Sequence, residues 1–221
     1  MKIALLLICA YLIGSIPFGV IVGRVWRGVD VRKYGSGNIG FSNVLRVLGP
    51  GPASVVLLGD ALKGYLPVAV GRYLLGGSLP AATSQAEPWL LALALAAILG
   101  HSCSLFLGFR GGRGVTTTAG ALVGLCWPAA VVGLVVWLLL VGITRHISVG
   151  SMAAAASVPV YMALAGLRWQ WLLFWSAIAL LVILRHLPNI RRLLAGTEAR
   201  IGQRVGLSDE GDSSAESGPP V

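Results

Sequence analysis

Residues 3–23 read IALLLICAYLIGSIPFGVIVG, twenty-one consecutive positions without a charged side chain. A helix rising about 1.5 Å per residue covers roughly 30 Å over such a stretch, the thickness of bilayer hydrocarbon. Lys2 ahead of an apolar run is also how a secretory signal opens. No A-x-A-like cleavage site follows, however, and Ile8 is too bulky to precede a lipoprotein-type Cys9. The stretch therefore reads as a retained first membrane helix.

The rest of the 221 residues has the same character. Hydrophobic residues make up 56% and charged residues 11%, with a mean hydropathy of +0.83. A soluble domain carries roughly 25% charged residues to face water, so an ordinary soluble globule is excluded. Further apolar runs cover residues 52–75, 88–107, 115–127, 129–143, 149–167 and 169–187. Residues 115–143 read either as one long tilted helix or as two short ones broken near Trp127-Pro128, since an interior proline removes a hydrogen bond and clashes with the preceding turn.

Charge distribution favours the break. With seven spans and the N-terminus outside, thirteen of the seventeen Lys and Arg residues fall in inner segments. Lys2, Arg72 and Arg168 lie outside, and Lys63 lies within a span. Fusing 115–143 into one span would send the basic C-terminal segment outward, against the excess of positive charge expected in cytoplasmic loops. The expected fold is thus all-α: a polytopic membrane domain over 1–206 with seven transmembrane helices and a cytoplasmic C-terminus. An acidic tail over 207–221 reads as disordered. The net charge of +9 is accounted for by the inner loops, and nucleic acid is not an expected partner. Cys9, Cys103 and Cys126 form no C-x-x-C pair and read as small core residues.

Four polar islands interrupt this background, all assigned to the inner side. Residues 30–49 (DVRKYGSGNIGFSNVLRVLG) carry Gly35, Gly37 and Gly40, which free the backbone to form an anion-binding nest. Ser36, Asn38, Ser42 and Asn43 add neutral donors, and Arg46 adds a fork suited to phosphate. Asp60 and Lys63 are three apart within a span and share a helix face; they read equally as a structural ion pair and as a substrate contact. Residues 100–118 (GHSCSLFLGFRGGRGVTTT) place Gly111, Gly112, Arg113 and Gly114 just before a helix start, another anion site. The Walker A spacing is missing, so ATP is not indicated. His101 fits a plain interfacial histidine as well as a substrate ligand. Finally, RHLPNIRR (185–192) sets His186 and Asn189 three apart, on one face if Pro188 opens a new helix.

Together the glycine-rich segments and arginines imply at least two phosphate groups held near the inner leaflet. The sequence contains no Cys/His/carboxylate cluster for a metal and no spacing for a Ser–His–Asp set. Neither a metal nor a cofactor is expected. A transporter for a phosphorylated metabolite is the main rival, but transport needs a site reachable from both sides, and these islands gather at one interface.

The blocks GSIPFG (14–19), GSGNIGFSNVLRVLG (35–49), GDALKG (59–64), GHSCSLFLGFRGGRGVTT (100–117) and RHLPNIRRLLAGTE (185–198) resemble, in order, the bacterial acyl-phosphate:glycerol-3-phosphate acyltransferase family, PlsY. The resemblance implies transfer of a fatty acyl group from acyl phosphate to the 1-hydroxyl of glycerol 3-phosphate. The products are lysophosphatidic acid and phosphate, the first acylation of phospholipid synthesis. It further implies an active site on the cytoplasmic face of the bacterial inner membrane, with the enzyme that makes acyl phosphate as a candidate partner. Ser36, Asn38 and Arg46 match the first motif, where the serine and arginine are functional. Arg113 stands where lysine is usual, and His186 with Asn189 matches the C-terminal polar pair. On this basis Ser36, Arg46, Arg113, His186 and Asn189 are the expected catalytic residues. The expected phosphate contacts are Gly35, Gly37, Asn38, Asn43, Lys63, His101, Gly111, Gly112, Gly114 and Thr116. The H-x-x-x-x-D signature of thioester-dependent acyltransferases is absent, Phe106 standing five residues after His101, which favours acyl phosphate as donor. The proton acceptor is left open between His186 and a substrate phosphate oxygen.

Overall fold

The computed structural model describes residues 1–76 and 86–205, so the tail expected to be disordered lies outside the described residues. The helices are α1 (Lys2–Ser15), α2 (Phe18–Arg27), α3 (Phe41–Leu48), α4 (Pro50–Leu75), α5 (Glu87–Ser102), α6 (Val115–Thr144), α7 (Ile147–Leu164), α8 (Trp169–Arg185) and α9 (Leu187–Leu194). The described residues contain no strand. An integral-membrane, all-α architecture follows from the apolar lengths. Five stretches are long and apolar enough to cross a membrane, and a sixth if α8 and α9, bent by 53°, form one span.

Proline positions shape the interior. Pro17 separates α1 from α2 within the first apolar stretch, because its nitrogen has no hydrogen to donate. The Ile16 carbonyl is left facing α4, where it accepts from Lys63 Nζ at 2.9 Å. Pro128 breaks α6. Its missing N–H leaves the Gly124 carbonyl without a helical donor, and Arg72 Nη1 takes that place at 3.1 Å. Two residues before the proline, Cys126 leaves helical geometry (φ −154°, ψ 79°).

This break folds α6 back on itself. In the first arm, Thr117 lies against Gly64 and Gly124 against Val68, so the arm runs beside α4 in the same direction. In the second arm, Gly133 lies near Ala154 and Val158 while Trp137 and Val141 lie against Gly150, so it runs opposite to α7. A straight helix of 30 residues would hold its ends about 45 Å apart. Instead Val115 and Thr116 line the same cavity as Ile147 and Ser148. Of the two readings the sequence offered, one tilted helix or two short ones broken near Trp127-Pro128, the structure shows the second: two helical arms joined across a break at Cys126.

Packing between helices uses small residues, as expected where lipid removes the hydrophobic gain of helix association. A Cβ on Gly14, Gly64 or Gly120 would stand about 2 Å from the backbone oxygen of Ala97, Thr117 or Ala61. One apolar cluster joins α5, α6, α7 and α8 through Leu90, Ile98, Leu122, Leu125, Met162 and Trp175. A second, Val22, Val31, Val44, Ala53 and Val56, holds the segment between α2 and α4.

Candidate active site

The segment between α2 and α3 is pinned by one amide. Asn43, fully buried, accepts from the Ser36 backbone N–H at 2.8 Å and the Ser36 hydroxyl at 3.1 Å. Its Nδ2 donates to the carbonyls of Val31 at 2.9 Å and Tyr34 at 3.2 Å. Gly35 passes over this amide at φ +60°, and a Cβ there would meet Asn43 Oδ1 at 2.5 Å. Gly37 is also left-handed, while Gly40 is not. The Asn38 carboxamide accepts the Gly40 N–H at 2.9 Å.

A second glycine segment crosses the end of α5. The Gly112 N–H donates to the His101 carbonyl at 3.1 Å, and the imidazole is so close that a Cβ on Gly112 would stand 2.2 Å from Nε2. His101 is buried, with Nδ1 3.7 Å from Asp60 Oδ1. Asp60 in turn pairs with Lys63 at 2.7 Å, both side chains nearly inaccessible. The α5 terminus is tied down by Arg185, which donates to the Ser102 carbonyl, by Ser104 donating to the Ser15 carbonyl at 2.6 Å and by Tyr11 donating to the Cys103 carbonyl at 2.7 Å.

Between these segments stands Glu198, which sequence reasoning did not single out. Its carboxylate accepts from Ser148 Oγ at 2.8 Å, Asn189 Nδ2 at 2.7 Å and Arg192 Nε at 2.8 Å. Burial alone would raise its pKa, but the donors of Asn189, Arg192 and Ser148 outweigh that and hold it below the usual carboxylate range. Arg46, buried, donates to the neighbouring Ala199 carbonyl at 3.3 Å. Burial pushes the Arg113 guanidinium down to about 10; Glu198 opposes the shift, whereas Arg192 and Arg46 add to it. Arg192 pairs directly with the carboxylate while Arg46 and Arg113 act on the same region through their charge, and Arg192 Nη2 is buried without a hydrogen-bond partner. That surplus of positive charge suits an anion.

Pro188 stands in the first turn of α9, where its missing N–H is harmless. The helix restarts there, and His186 and Asn189 reach the same region. His186 Nδ1 lies 2.8 Å from the Val182 carbonyl. A carbonyl only accepts, so Nδ1 carries the hydrogen and, in the neutral ring, Nε2 is the acceptor.

A cavity of about 280 Å³ joins these pieces. Asn38, Ser42, Asp60, His101, Arg113, Gly114, Thr116, Ser148 and His186 line one part of it, and Leu122, Ala130, Leu134, Ala155 and Val158 another. Leu57, Ala119 and Leu134 line it and are exposed, so the cavity is open along this edge between helices.

The expected residues divide by role. Asn38, His101, Arg113, Gly114, Thr116 and His186 line the cavity. Arg46 and Asn189 approach it through Ala199 and Glu198. Ser36, Gly35, Gly37 and Asn43 shape the adjoining turn, with the Asn43 amide engaged on all the contacts just described. The Lys63 ammonium is held by Asp60 and Ile16, and Gly111 and Gly112 allow the close crossing over His101. Among the described residues no group of His, Cys, Asp and Glu could hold a metal ion.

The fold and this cleft define a class: integral-membrane proteins with a basic pocket at one end of an apolar groove. The glycerol-3-phosphate acyltransferase family model matches residues 4–196, and the chain belongs to that family. It is 47% identical over 194 residues to a glycerol-3-phosphate acyltransferase of Synechococcus sp. (strain JA-3-3Ab), covering 88% of this chain and 91% of the relative. Identity to glycerol-3-phosphate acyltransferase 2 of Moorella thermoacetica is 48% over 200 residues, covering 90% and 98%. The crystal structure of PlsY, an integral membrane glycerol 3-phosphate acyltransferase, in its glycerol 3-phosphate form superposes with a TM-score of 0.83 at 36% identity, covering 91% of this chain and 96% of that one. The lysophosphatidic acid form gives 0.80 at 35%, covering 92% and 97%.

Proposed function

We propose that this protein transfers a fatty acyl group from acyl phosphate to the 1-hydroxyl of glycerol 3-phosphate, at the cytoplasmic end of the bundle. The observation that carries this reading is a basic cluster at the head of a cavity whose remainder is apolar: Arg113 lines it, Arg192 pairs with Glu198, and Arg46 donates to the adjoining Ala199 carbonyl. A phosphate belongs with the guanidinium groups and an alkyl chain with the apolar wall. The thirteen basic residues of the inner segments favour a seven-span arrangement with this end in the cytoplasm.

The glycerol hydroxyl oxygen attacks the acyl carbonyl carbon directly. The new ester C–O bond forms as the anhydride C–O bond breaks, and phosphate leaves with the electron pair. Because phosphate is a good leaving group, no enzymic nucleophile is required. His186 Nε2 accepts the hydroxyl proton, its tautomer set by Val182. Arg113 and the free N–H groups at the start of α6 hold the departing phosphate and meet its growing charge. Holding both substrates in one cleft supplies on the order of 7–11 kcal/mol of the barrier reduction.

Purified protein in detergent, given acyl phosphate and glycerol 3-phosphate, is expected to form lysophosphatidic acid without a sealed compartment. Product from a thioester donor but none from acyl phosphate would overturn the donor assignment, and no product from any donor would overturn the enzyme reading. His186→Gln should lower kcat and remove the lower limb of the pH–rate profile; an unchanged profile would rule out the histidine as base.

A further inference from the structure

Resting on the acyl-transfer reading, we propose that Gly133 sets the length of acyl chain the cavity accepts. Gly133 lies in the second arm of α6 and lines the apolar part of the cavity beside Ala154 and Val158 of α7. Most interhelical glycines of the bundle are demanded by close packing, several of them by backbone: a Cβ on Gly64 would stand 2.0 Å from the Thr117 oxygen, and one on Gly120 1.9 Å from that of Ala61. Gly133 is different. A Cβ there would meet only the Ala154 oxygen at 3.8 Å and Val158 Cγ2 at 3.9 Å, which is ordinary contact, and its φ is not left-handed.

A glycine inside a helix gives up about 1 kcal/mol relative to alanine, and neither close packing nor backbone geometry requires it at this position. What its absent side chain leaves is open volume in the cavity wall. That volume sits toward the far end of the groove. Ser148, bonded to Glu198 at the polar end, and Val158 are ten residues apart on α7, about 15 Å along the helix. A chain whose carbonyl lies by Arg113 reaches Gly133 only with its distal carbons. Short chains end before that point and long chains have to pass it.

The test is the ratio of kcat/KM for a long-chain acyl phosphate to that for a short-chain one, in Gly133→Ala, Gly133→Leu and Val158→Ala. The ratio is expected to fall in the order wild type, Gly133→Ala, Gly133→Leu, by at least tenfold for leucine, and to rise in Val158→Ala, which lengthens the groove. A ratio unchanged in folded Gly133→Leu overturns the proposal. If that variant does not fold, an unchanged ratio in Val158→Ala overturns it instead. A wild type that acylates glycerol 3-phosphate from no acyl phosphate is a separate result, which removes the acyl-transfer reading itself.

Discussion

The Asn189 amide donates to Glu198 at 2.7 Å, while its own side-chain oxygen is buried without a hydrogen-bond partner. The same side chain thus secures the carboxylate while keeping a buried acceptor of its own unpaired. Asn189→Asp would put a second carboxylate at that distance from the first. Loss of activity and a lowered thermal midpoint in detergent are expected, and Glu198→Gln in the same chain should restore part of the midpoint by removing the repulsion. No rescue by the double substitution would mean that the two groups are not coupled.

Stability in acid should follow Glu198. Its pKa is lowered in the folded chain relative to the usual value of 4.5. The stabilisation is therefore present above that value and disappears as the pH falls through the lower, folded one. Thermal midpoints measured between pH 7 and pH 3 should decline in the wild type and decline less in Glu198→Gln, which has no carboxyl to titrate. At neutral pH that variant should be less stable by about 2 kcal/mol. This is below the 3–5 kcal/mol typical of a broken buried pair, because Arg192 is partly exposed.

Arg113 lines the cavity and has a guanidinium of lowered pKa, so an anion is its natural complement. Arg113→Ala is expected to reduce kcat/KM for glycerol 3-phosphate or acyl phosphate by roughly ten- to a hundredfold, the worth of one or two charged hydrogen bonds. Arg113→Lys keeps the charge but loses the fork, and should fall between the two. Steady-state kinetics varying each substrate in turn would show which phosphate it holds. Unaltered values for both would remove Arg113 from the site.

Gly112 and His101 make a steric pair that can be tested against itself. Gly112→Ala would drive a methyl group to 2.2 Å from a buried imidazole, a clash costing on the order of 1–3 kcal/mol. The loop carrying Arg113 should shift and KM for the anionic substrates should rise. His101→Ala vacates the space, so the double variant is expected to bind substrate better than Gly112→Ala alone. Equal KM values in the single and double variants would place the effect elsewhere.

Much of this architecture was legible in the sequence. Long apolar runs mark the helices because a lipid solvent leaves the backbone no alternative, and the Asp60–Lys63 pair follows from helical spacing alone. The motif blocks located most polar segments of the site, but not α7, whose Ser148 donates to Glu198. What the sequence could not give is which atoms of those segments face inward. Asn43 carries the same donors whether it binds a ligand or its own turn, and only the fold puts Val31, Tyr34 and Ser36 around it. Lys63 looks like a phosphate ligand until the break between α1 and α2 leaves the Ile16 carbonyl beside it. Glu198 belongs to no ligand pattern, although a lone acid among Arg185, Arg191, Arg192, Arg200 and Arg204 is a signal. The reversal of α6 was legible as a break at Pro128 but not as a direction, which depends on Arg72 capping Gly124 from another helix.

That reversal has a bearing on how a two-natured molecule comes and goes. A slot bounded by the two arms of one bent helix, with Leu57, Ala119 and Leu134 at its lip, lets a greasy tail slide in and out edgewise from the surrounding lipid. On the proposed acyl-transfer reading the charged head would stay at the waterline, and the tail would never have to be wetted.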